Sequence, residues 1–252
     1  MRFFVDLPLP GPESPEASAQ NSIVLPDIVL PDEVAHHLVR VLRSEVGTRL
    51  KIFNGTGGEY DAELIEAGKK TARVQLLRFH AKDRQSGLIT HLGQVMSRGE
   101  RMDYAIQKAT ELGVTEITPL SSERCELKLR GEERADKKTE HWRRIAISAC
   151  EQCGRNRLPV IHEPQPLSTW ISSVQSDLKL VLAPAVAGSL PDGGISSVAL
   201  LVGPEGGLSE PEIAAAQAAG FMPWQLGPRI FRTETAPVAA LAVLQSVFGD
   251  LR

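Results

Sequence analysis

Two arginines, Arg229 and Arg232, stand three residues apart in the stretch LGPRIFRTETAPVAAL at residues 226–241. A glycine-proline pair precedes them, and the start of a long apolar run follows. The first turn of a helix has free amide groups and a partial positive charge, so it attracts anions. Two guanidinium groups beside it would strengthen that attraction. The alternative is a surface salt bridge between an arginine and Glu234.

The apolar run predicts a helix from Ala236 to Phe248, relieved by only two polar residues, Gln245 and Ser246. A helix that is apolar almost all round must be buried against something large. Thr235 is placed to cap this helix, and Pro237 fits its first turn.

A second stretch that could carry chemistry is LVGPEGGLSEPE at 201–212. An apolar strand ends there, and Ser209 with Glu212 predicts a capping box at the start of the next helix. Ligands of open α/β sheets bind at such strand ends, and glycines let a ligand approach the backbone closely. The alternative is a tight strand-to-helix turn without a ligand. The glycines of this stretch are Gly203, Gly206 and Gly207.

Two further motifs favour structural roles. Cys150 and Cys153 form a C-x-x-C motif, but a tetrahedral zinc site needs four ligands and the chain has no second pair. Both cysteines extend the apolar face of a predicted helix at 139–154, which indicates core packing. The glycine-rich stretch at 54–58 lies between two predicted strands, so it is interpreted as a hairpin turn rather than a phosphate-binding loop.

Composition places the chain among ordinary globular proteins: 252 residues, 42% hydrophobic, 23% charged, with a net charge of -3. No apolar run reaches the roughly 20 residues that span a membrane, and the N-terminus lacks the apolar core of a signal peptide. Three cysteines do not predict a disulfide framework, so the expected location is cytoplasmic. The overall charge leaves nucleic acid open as a partner, because binding depends on a local basic face.

The first third of the chain predicts a small β-barrel. A strand and a mobile loop are expected at 1–20, and a helix at 32–43 with Val34, Leu38, Val41 and Leu42 on one face. Strands follow at 49–53, 59–65 and 71–79, with turns at 54–58 and 67–70. Residues 81–87 are interpreted as a linker.

The remainder predicts an α/β domain, because strands and helices alternate. Two unbroken apolar runs are typical of buried parallel strands. The predicted domains are therefore 1–84 and 85–252. The predicted strands are at 88–97, 114–120, 178–183, 198–203 and 224–227, and the predicted helices at 101–113, 139–154, from 209 and at 236–248.

GPEGGLSEPE followed by LGPRIFRTETA resembles the paired C-terminal motifs of the SPOUT superfamily of methyltransferases. The RsmE family, which methylates N3 of a uracil in 16S ribosomal RNA, is the most similar branch. HHLVRVLR, FNGTGGEYDAEL, HLGQVMSRGERMDYAIQKATELGV, ITPLSSERC and ACEQCGRNRLP are similar to segments of that family, in the same order. The resemblance covers most of the chain, except roughly 8–24 and 163–197.

The resemblance implies an α/β fold: a C-terminal SPOUT-type domain with a parallel sheet and a deep trefoil knot, and an N-terminal PUA-like β-barrel that binds RNA. It also implies a homodimer with 16S ribosomal RNA or the small ribosomal subunit as its partner, without a membrane. The knot loops would bind S-adenosylmethionine. The residues implied in that binding are Leu182, Ala183, Gly203, Pro204, Glu205, Gly206, Gly207, Leu226, Gly227, Ile230, Arg232, Thr233, Thr235 and Ala236.

Catalysis would depend on charge. Uracil N3 becomes a good nucleophile only when it loses its proton, and a guanidinium can stabilise the resulting anion. Arg232 is the first candidate and Arg229 the second, while Glu234 orients an arginine or helps to remove the proton. The sulfonium methyl is already activated, so no metal is expected. The alternatives are methylation of another base or of a ribose, and a non-catalytic ribosomal RNA binding factor.

A basic segment at 36–51 suggests where RNA would be held. Arg40 and Arg43 are three apart on the predicted helix, so they are expected to share one face with Arg2 nearby. The alternative is a solvated helix face. A second candidate for the RNA contact is the group Arg143, Arg144, Arg155 and Arg157.

Overall fold

The computed structural model describes residues 1–10, 25–68, 71–125, 127, 132–183 and 190–251. The loop predicted after the first strand and the end of the predicted turn at 67–70 lie mostly outside these residues. The described chain divides into two compact units. The first joins Met1–Gln85 with Cys150–Leu158, and the second joins Ser86–Ala149 with Pro159–Arg252.

The first unit is built on a five-stranded sheet. Its strands are β1 (Arg2–Phe4), β2 (Asp27–Val29), β3 (Arg49–Phe53), β4 (Glu59–Ala67) and β5 (Ala72–His80). The order across the sheet is β1-β3-β4-β5-β2, with β1 and β3 parallel and the other neighbours antiparallel. The three strands predicted from residue 49 to residue 79 are confirmed, and the glycine-rich stretch at 54–58 is their first hairpin loop.

The helix predicted at 32–43 is shorter than expected and changes its winding. Helix α1 spans Asp32–His36 and continues as a π-helical turn at His37–Val41. There the N–H of Leu42 donates to the carbonyl oxygen of His37, five residues earlier, at 3.0 Å. This wider turn rotates the side chains that follow it, so Val41 and Leu42 are 60% and 43% exposed instead of buried.

The same change affects the two arginines of this segment. Arg40 lies in the π-helical turn, whereas Arg43 follows it with a positive φ of 52°. The expectation that the two share a helix face is therefore wrong, although both side chains are exposed.

Arg2 is buried in the first unit, which corrects its expected role in holding RNA. Its side chain is 11% exposed and lies over the ring of Phe53, 3.9 Å from the ring centre. The guanidinium donates to four groups: Glu59 Oε2 at 2.9 Å, the carbonyl oxygens of Cys150 at 2.7 Å and Arg155 at 2.8 Å, and Asn156 Oδ1. These bonds fasten residues 150–156 to β1 and leave Arg2 unavailable to a phosphate.

A seven-stranded parallel sheet forms the second unit. Its strands are β6 (Ile89–Val95), β7 (Glu116–Ser121), β8 (Val160–Ile161), β9 (Gln165–Pro166), β10 (Leu178–Leu182), β11 (Ser197–Val202) and β12 (Met222–Trp224). The order is β12-β10-β11-β6-β7-β8, and β9 also pairs with β7. Every pairing is parallel, as the apolar runs in β10 and β11 predicted.

The helices of the second unit follow the predicted alternation. They are α2 (Glu100–Glu111), α3 (Glu132–Cys153), α4 (Leu167–Ser173), α5 (Glu210–Ala218) and α6 (Thr235–Phe248). The buried core of this unit contains residues from all five helices and from strands β6, β7, β10, β11 and β12, including Leu92, Ile106, Trp142 and Leu241. No helix in the described part of the chain is long and apolar enough to span a membrane.

Two local expectations in this unit are wrong. The strand expected at 224–227 lies earlier, because β12 ends at Trp224 and the following residues form a loop. Thr235 does not cap α6: it is the first helical residue, Glu234 precedes it, and no side chain accepts a capping bond there. The capping box of Ser209 and Glu212 is confirmed at the start of α5.

The apolar face predicted for α3 is confirmed, and Cys150 on it is fully buried. Burial raises the pKa of the Cys150 thiol to about 12, so the thiol stays protonated at neutral pH. Its sulfur lies 3.6 Å from the carbonyl oxygen of Arg157, and Cys153 is a free thiol as well. These properties support core packing for the pair.

Replacing Arg2 tests its structural role. Arg2→Met should lower the free energy of unfolding by about 3 kcal/mol, because Glu59 keeps only its ion pair with Lys51 and the carbonyl oxygens of Cys150 and Arg155 lose their donor. Denaturant unfolding followed by circular dichroism measures this change. Arg49→Met is the matched control: its side chain is 69% exposed and pairs with Glu63 on the surface, so less than about 0.5 kcal/mol should be lost. Equal losses in both variants would contradict the assignment.

Candidate functional site

A cavity of about 690 Å³ opens at the carboxyl ends of three neighbouring strands, β10, β11 and β12. Leu182 ends β10 and Ala183 follows it, while Val202 ends β11 and residues 203–208 follow it. The loop from Trp224 to Ala236, after β12, supplies another wall. Because parallel strands all end at one edge of a sheet, residues distant in sequence meet here.

Nearly all the residues implied by the sequence resemblance line this cavity. Gly227 and Thr235 do not, since Gly227 lies in an exposed turn with a φ of 72° and Thr235 begins α6. The lining residues that were expected are Leu182, Ala183, Gly203, Pro204, Glu205, Gly206, Gly207, Leu226, Arg229, Ile230, Arg232, Thr233, Glu234 and Ala236.

The three glycines of residues 203–208, called the glycine turn below, differ in whether the fold requires them. A Cβ on Gly203 would lie 3.0 Å from the side chain of Leu208, which is too close without a shift. Gly207 has a positive φ of 70°, which other residues adopt only with strain. A Cβ on Gly206 would meet only the side chain of Arg124 at an ordinary 3.5 Å. At Gly206, therefore, the fold itself leaves room for a side chain.

Thr233 connects the glycine turn to the loop that carries the arginines. Its hydroxyl donates to the carbonyl oxygen of Gly203 at 3.0 Å. The Thr233 oxygen then accepts from Gln94 Nε2 at 3.5 Å and from the hydroxyl of Ser97 at 3.4 Å. All three side chains are buried, at 1% exposed for Gln94, 3% for Ser97 and 8% for Thr233. The two loops are therefore held in one arrangement by a buried polar cluster.

Arg229 and Arg232 are exposed at the cavity, and the surface salt bridge considered from the sequence is not observed. Among the described residues, neither arginine forms an ion pair with Glu234 or with any other carboxylate. Ile230, between them, is 86% exposed. Two permanent positive charges, without an ion pair in the described part of the chain, and an apolar side chain thus face the solvent at the entrance.

Two charged residues of the cavity were missed from the sequence, Arg101 and Arg124. Arg101 lies in the first turn of α2, after β6, and its Nη1 donates to Glu205 Oε1 at 2.7 Å. Arg124 follows β7, and its Nη1 donates to the carbonyl oxygen of Gly206 at 2.9 Å. A signal was present, because both arginines come shortly after predicted strands whose ends meet the same sheet edge.

The cavity has the character of a small-molecule site. Its volume lies within the ~300–1,000 Å³ typical of such sites. Apolar side chains of Val202, Leu208, Trp224 and Leu226 line it beside the exposed backbone of the glycine turn. A flat ring could approach that backbone closely, and the arginines would attract negative charge at the entrance.

A shallower depression, of about 410 Å³, lies along the exposed face of α3. It is lined by charged and polar side chains, several of which pair with one another or with α2. It lacks the exposed glycine backbone and the large apolar side chains of the cavity at the sheet edge, which is therefore the stronger candidate. The residues that line the depression are Asp136, Lys137, Glu140, His141 and Arg144.

His91, Glu116 and His162 form the one described group of ligand-type side chains close enough to hold a metal ion. They lie on the half of the sheet that does not contain β10, β11 and β12: His91 is on β6, Glu116 is on β7, and His162 directly follows β8. Burial lowers the pKa of His91 to about 4, so its ring is neutral. The indole N–H of Trp170 donates to His91 Nε2 at 3.2 Å, which leaves the ring proton on Nδ1, the atom nearest Glu116. In this tautomer Nδ1 carries the proton and the lone pair of Nε2 accepts from Trp170, so both nitrogens of the His91 ring are occupied.

Comparison with known proteins decides the family. A model of the RNA methyltransferase domain matches residues 84–245, and a model of the RNA methyltransferase PUA domain matches residues 30–77. Ribosomal RNA small subunit methyltransferase E of Buchnera aphidicola subsp. Schizaphis graminum is 41% identical over 89% of this chain and 92% of its own. The chain belongs to the ribosomal RNA small subunit methyltransferase E family. The resemblance to the RsmE family is thereby confirmed.

Other members of this family are similar over nearly the whole chain. The Bacillus subtilis protein of the same name is 30% identical over 91% of this chain and 93% of its own. The solved structure of the Neisseria gonorrhoeae protein of the same name, bound to S-adenosyl methionine, has a TM-score of 0.87 and 36% identity. It covers 100% of this chain and 99% of that one.

A side chain at Gly206 tests whether the glycine turn belongs to a cofactor site. Gly206→Val should abolish S-adenosylmethionine binding, measured by calorimetry, because the side chain would occupy space beside the turn without straining the fold. Gly87→Val is the matched control, since Gly87 is exposed, has no neighbour within 4 Å and lies outside the cavity. Unchanged affinity in Gly206→Val would remove the turn from the site.

Proposed function

We propose that this protein methylates N3 of a specific uridine in 16S ribosomal RNA, with S-adenosylmethionine as the methyl donor. The observation that carries the proposal is the cavity, where a glycine turn and two unpaired arginines meet in a member of the ribosomal RNA small subunit methyltransferase E family. Mapping methylated bases in ribosomal RNA from a deletion strain tests it directly. Loss of one N3-methyluridine from 16S RNA is expected, and an unchanged map would refute the proposal.

The cavity suits the proposed cofactor. The glycine turn would lie against the flat adenine, with Leu182, Ala183, Leu226 and Ala236 as the apolar surroundings. When bound, S-adenosylmethionine supplies a methyl group activated by its sulfonium sulfur. The related Neisseria gonorrhoeae protein is described with this molecule bound, which supports the assignment. The proposed reaction includes no metal, because the methyl group is already activated.

In this proposal the arginines act on the uracil. Arg232 stabilises the negative charge that spreads onto the carbonyl oxygens as N3 loses its proton, and Arg229 assists. A guanidinium suits this role because its planar fork and permanent charge match two acceptors. Among the described residues Glu234 forms no ion pair with either arginine, which favours removal of the N3 proton over orientation of an arginine as its role.

Substitutions at Arg232 test this role. Arg232→Ala should lower methyl transfer by about 100-fold, the scale of one lost charge-stabilising donor, while cofactor affinity changes much less. Arg232→Lys should restore little, because an ammonium lacks the fork. Single-turnover methylation of RNA with labelled cofactor measures both. Full activity in the Lys variant would mean that a point charge suffices.

The two domains would have separate functions. We assign residues 1–84 to a PUA-like β-barrel that binds RNA and residues 85–252 to the SPOUT domain that transfers the methyl group. The match of the PUA model to residues 30–77 supports the first assignment. The threading of α6 into a deep trefoil knot is part of the proposal and follows from family membership. Because its proposed substrate is ribosomal RNA, we propose that the protein acts in the cytoplasm.

Arg40 and Arg43 are the remaining candidates for the RNA contact in the first domain. Both are exposed, and neither forms an ion pair among the described residues. The second candidate group for the RNA contact, the arginines between residues 143 and 157, is less accessible than the sequence predicted. Arg155 is 4% exposed, and Arg157 pairs with Asp83 at 2.5 Å.

Removing both exposed arginines tests this contact. The double variant Arg40→Ala, Arg43→Ala should bind the RNA substrate more weakly, and the slope of log affinity against log salt should fall by about one to two units. Filter binding across a salt series measures both quantities. S-adenosylmethionine binding should stay at the wild-type value and serves as the control. An unchanged salt slope would move the contact elsewhere.

A homodimer would cover the outer face of α6. Val243 and Val247 are 38% and 50% exposed, and their spacing of four residues puts them on one side of the helix. We propose that a second copy of the chain packs there. Light scattering at micromolar concentration should give twice the mass of the chain, and Val243→Glu should shift the protein towards the monomer. A monomeric wild-type protein would contradict the proposal.

The alternative functions are methylation of another base or of a ribose, and ribosomal RNA binding without catalysis. The first keeps the cofactor and changes only the position of the mark, so the methylation map separates it. The second predicts no S-adenosylmethionine binding. The intact glycine turn and the unpaired Arg229 and Arg232 favour an active enzyme.

A further inference from the structure

The glycine turn would be mobile if nothing outside it restrained it. Three of its six residues are glycine, and the N–H of Gly207 makes one backbone bond inside the turn, to the carbonyl oxygen of Pro204 at 2.9 Å. Glycine-rich backbone has many accessible conformations, and selecting one of them upon binding costs free energy. A turn that already has its binding conformation therefore binds a ligand more tightly.

Both ends of the turn are fixed by neighbouring structure. At its start, the carbonyl oxygen of Gly203 accepts from the buried hydroxyl of Thr233. Just beyond its end, the capping box joins Ser209 and Glu212, and Glu212 also accepts from the backbone N–H of Glu123 at 2.8 Å. These contacts do not reach the tip of the turn.

The tip is contacted by two arginines from distant segments of the chain. Arg101 reaches the carboxylate of Glu205 from 104 residues away in sequence, and Arg124 reaches the carbonyl oxygen of Gly206 from 82 residues away. They follow neighbouring strands, β6 and β7, so the same sheet edge that forms the cavity also brings them to the tip. Both side chains line the cavity.

We propose that Arg101 and Arg124 are positioning residues that hold the tip of the glycine turn in its cofactor-binding conformation. This rests on the proposed function, because the ligand in question is S-adenosylmethionine. Neither arginine acts on the methyl group or on the uracil. Their effect is on the free protein: they reduce the number of conformations that the turn adopts before the cofactor arrives.

The positioning role can be distinguished from a role in folding stability, because the two predict different effects on the melting temperature. The side chains of Arg101 and Glu205 are 45% and 26% exposed, and ion pairs of this kind contribute little to folding stability. Loss of either arginine should therefore leave the melting temperature nearly unchanged. Cofactor affinity should fall instead, because the turn must then be ordered upon binding.

The first experiment measures S-adenosylmethionine binding to the purified full-length protein by calorimetry. Arg101→Met and Arg124→Met should each weaken binding about fivefold to tenfold. Without cofactor, hydrogen exchange at the Gly207 amide should be faster in both variants. Arg134→Met is the control: Arg134 is exposed on α3 and lies outside the cavity, so removing its charge should change neither quantity.

The second experiment uses Glu205→Ala, which removes the acceptor of the Arg101 contact. If Arg101 acts through Glu205, the variant that combines this change with Arg101→Met should lose no more affinity for S-adenosylmethionine than either single variant. In steady-state methylation, KM for the cofactor should rise while kcat at saturating cofactor stays the same. An additive loss in the double variant would overturn this part of the proposal.

The outcomes separate the two proposals. A wild-type protein that binds no S-adenosylmethionine would refute the proposed function. A wild-type protein that binds, together with Arg101→Met and Arg124→Met variants of equal affinity and equal amide exchange, would refute the positioning role alone. Variants that raise only KM for RNA would also refute it, and would make the two arginines RNA contacts.

Discussion

The hydroxyl of Thr233 donates to the carbonyl oxygen of Gly203 at 3.0 Å, and this bond joins two loops that follow different strands. One loop is the glycine turn, and the other carries Arg232 and Glu234. The Thr233 side chain is buried with Gln94 beside it, so water competes less for this bond than for one on the surface. The distance between a bound cofactor and the proposed catalytic arginine would depend on this contact.

The parallel sheet explains why such a contact is available. The strands β12, β10 and β11 are neighbours although they are separated along the chain, and their carboxyl ends all face the cavity. The same edge receives Arg101 after β6 and Arg124 after β7. One architectural feature therefore assembles the apolar pocket, the cationic entrance and the contacts to the tip of the turn.

Sequence reasoning found what depends on local pattern. The buried strands β10 and β11, the capping box at Ser209 and the hairpin at 54–58 follow from apolar runs, short-range hydrogen bonding and glycine conformation. The lining of the cavity was reached through the family resemblance together with the glycine and arginine motifs. Periodicity alone would not have assembled loops from three strands.

What the sequence left hidden depends on long-range geometry. The π-helical turn after α1 inserts one extra residue into the helical repeat, so a regular period assigned Val41 to the wrong side. Arg2 is surrounded by partners up to 154 residues away, and nothing near it in sequence announces them. Arg101 and Arg124 were overlooked although each follows a predicted strand, since their contacts to the turn arise only in the tertiary fold.

Because Cys150–Leu158 belongs to the first unit, this unit cannot be completed early in translation. When β1 to β5 have left the ribosome, Arg2 still lacks the carbonyl oxygens of Cys150 and Arg155, and its charge has Glu59 as a partner but no complete set of acceptors. These acceptors are made only after β6, α2, β7 and most of α3. The N-terminal sheet therefore reaches its final stability only when more than half of the polypeptide has been translated.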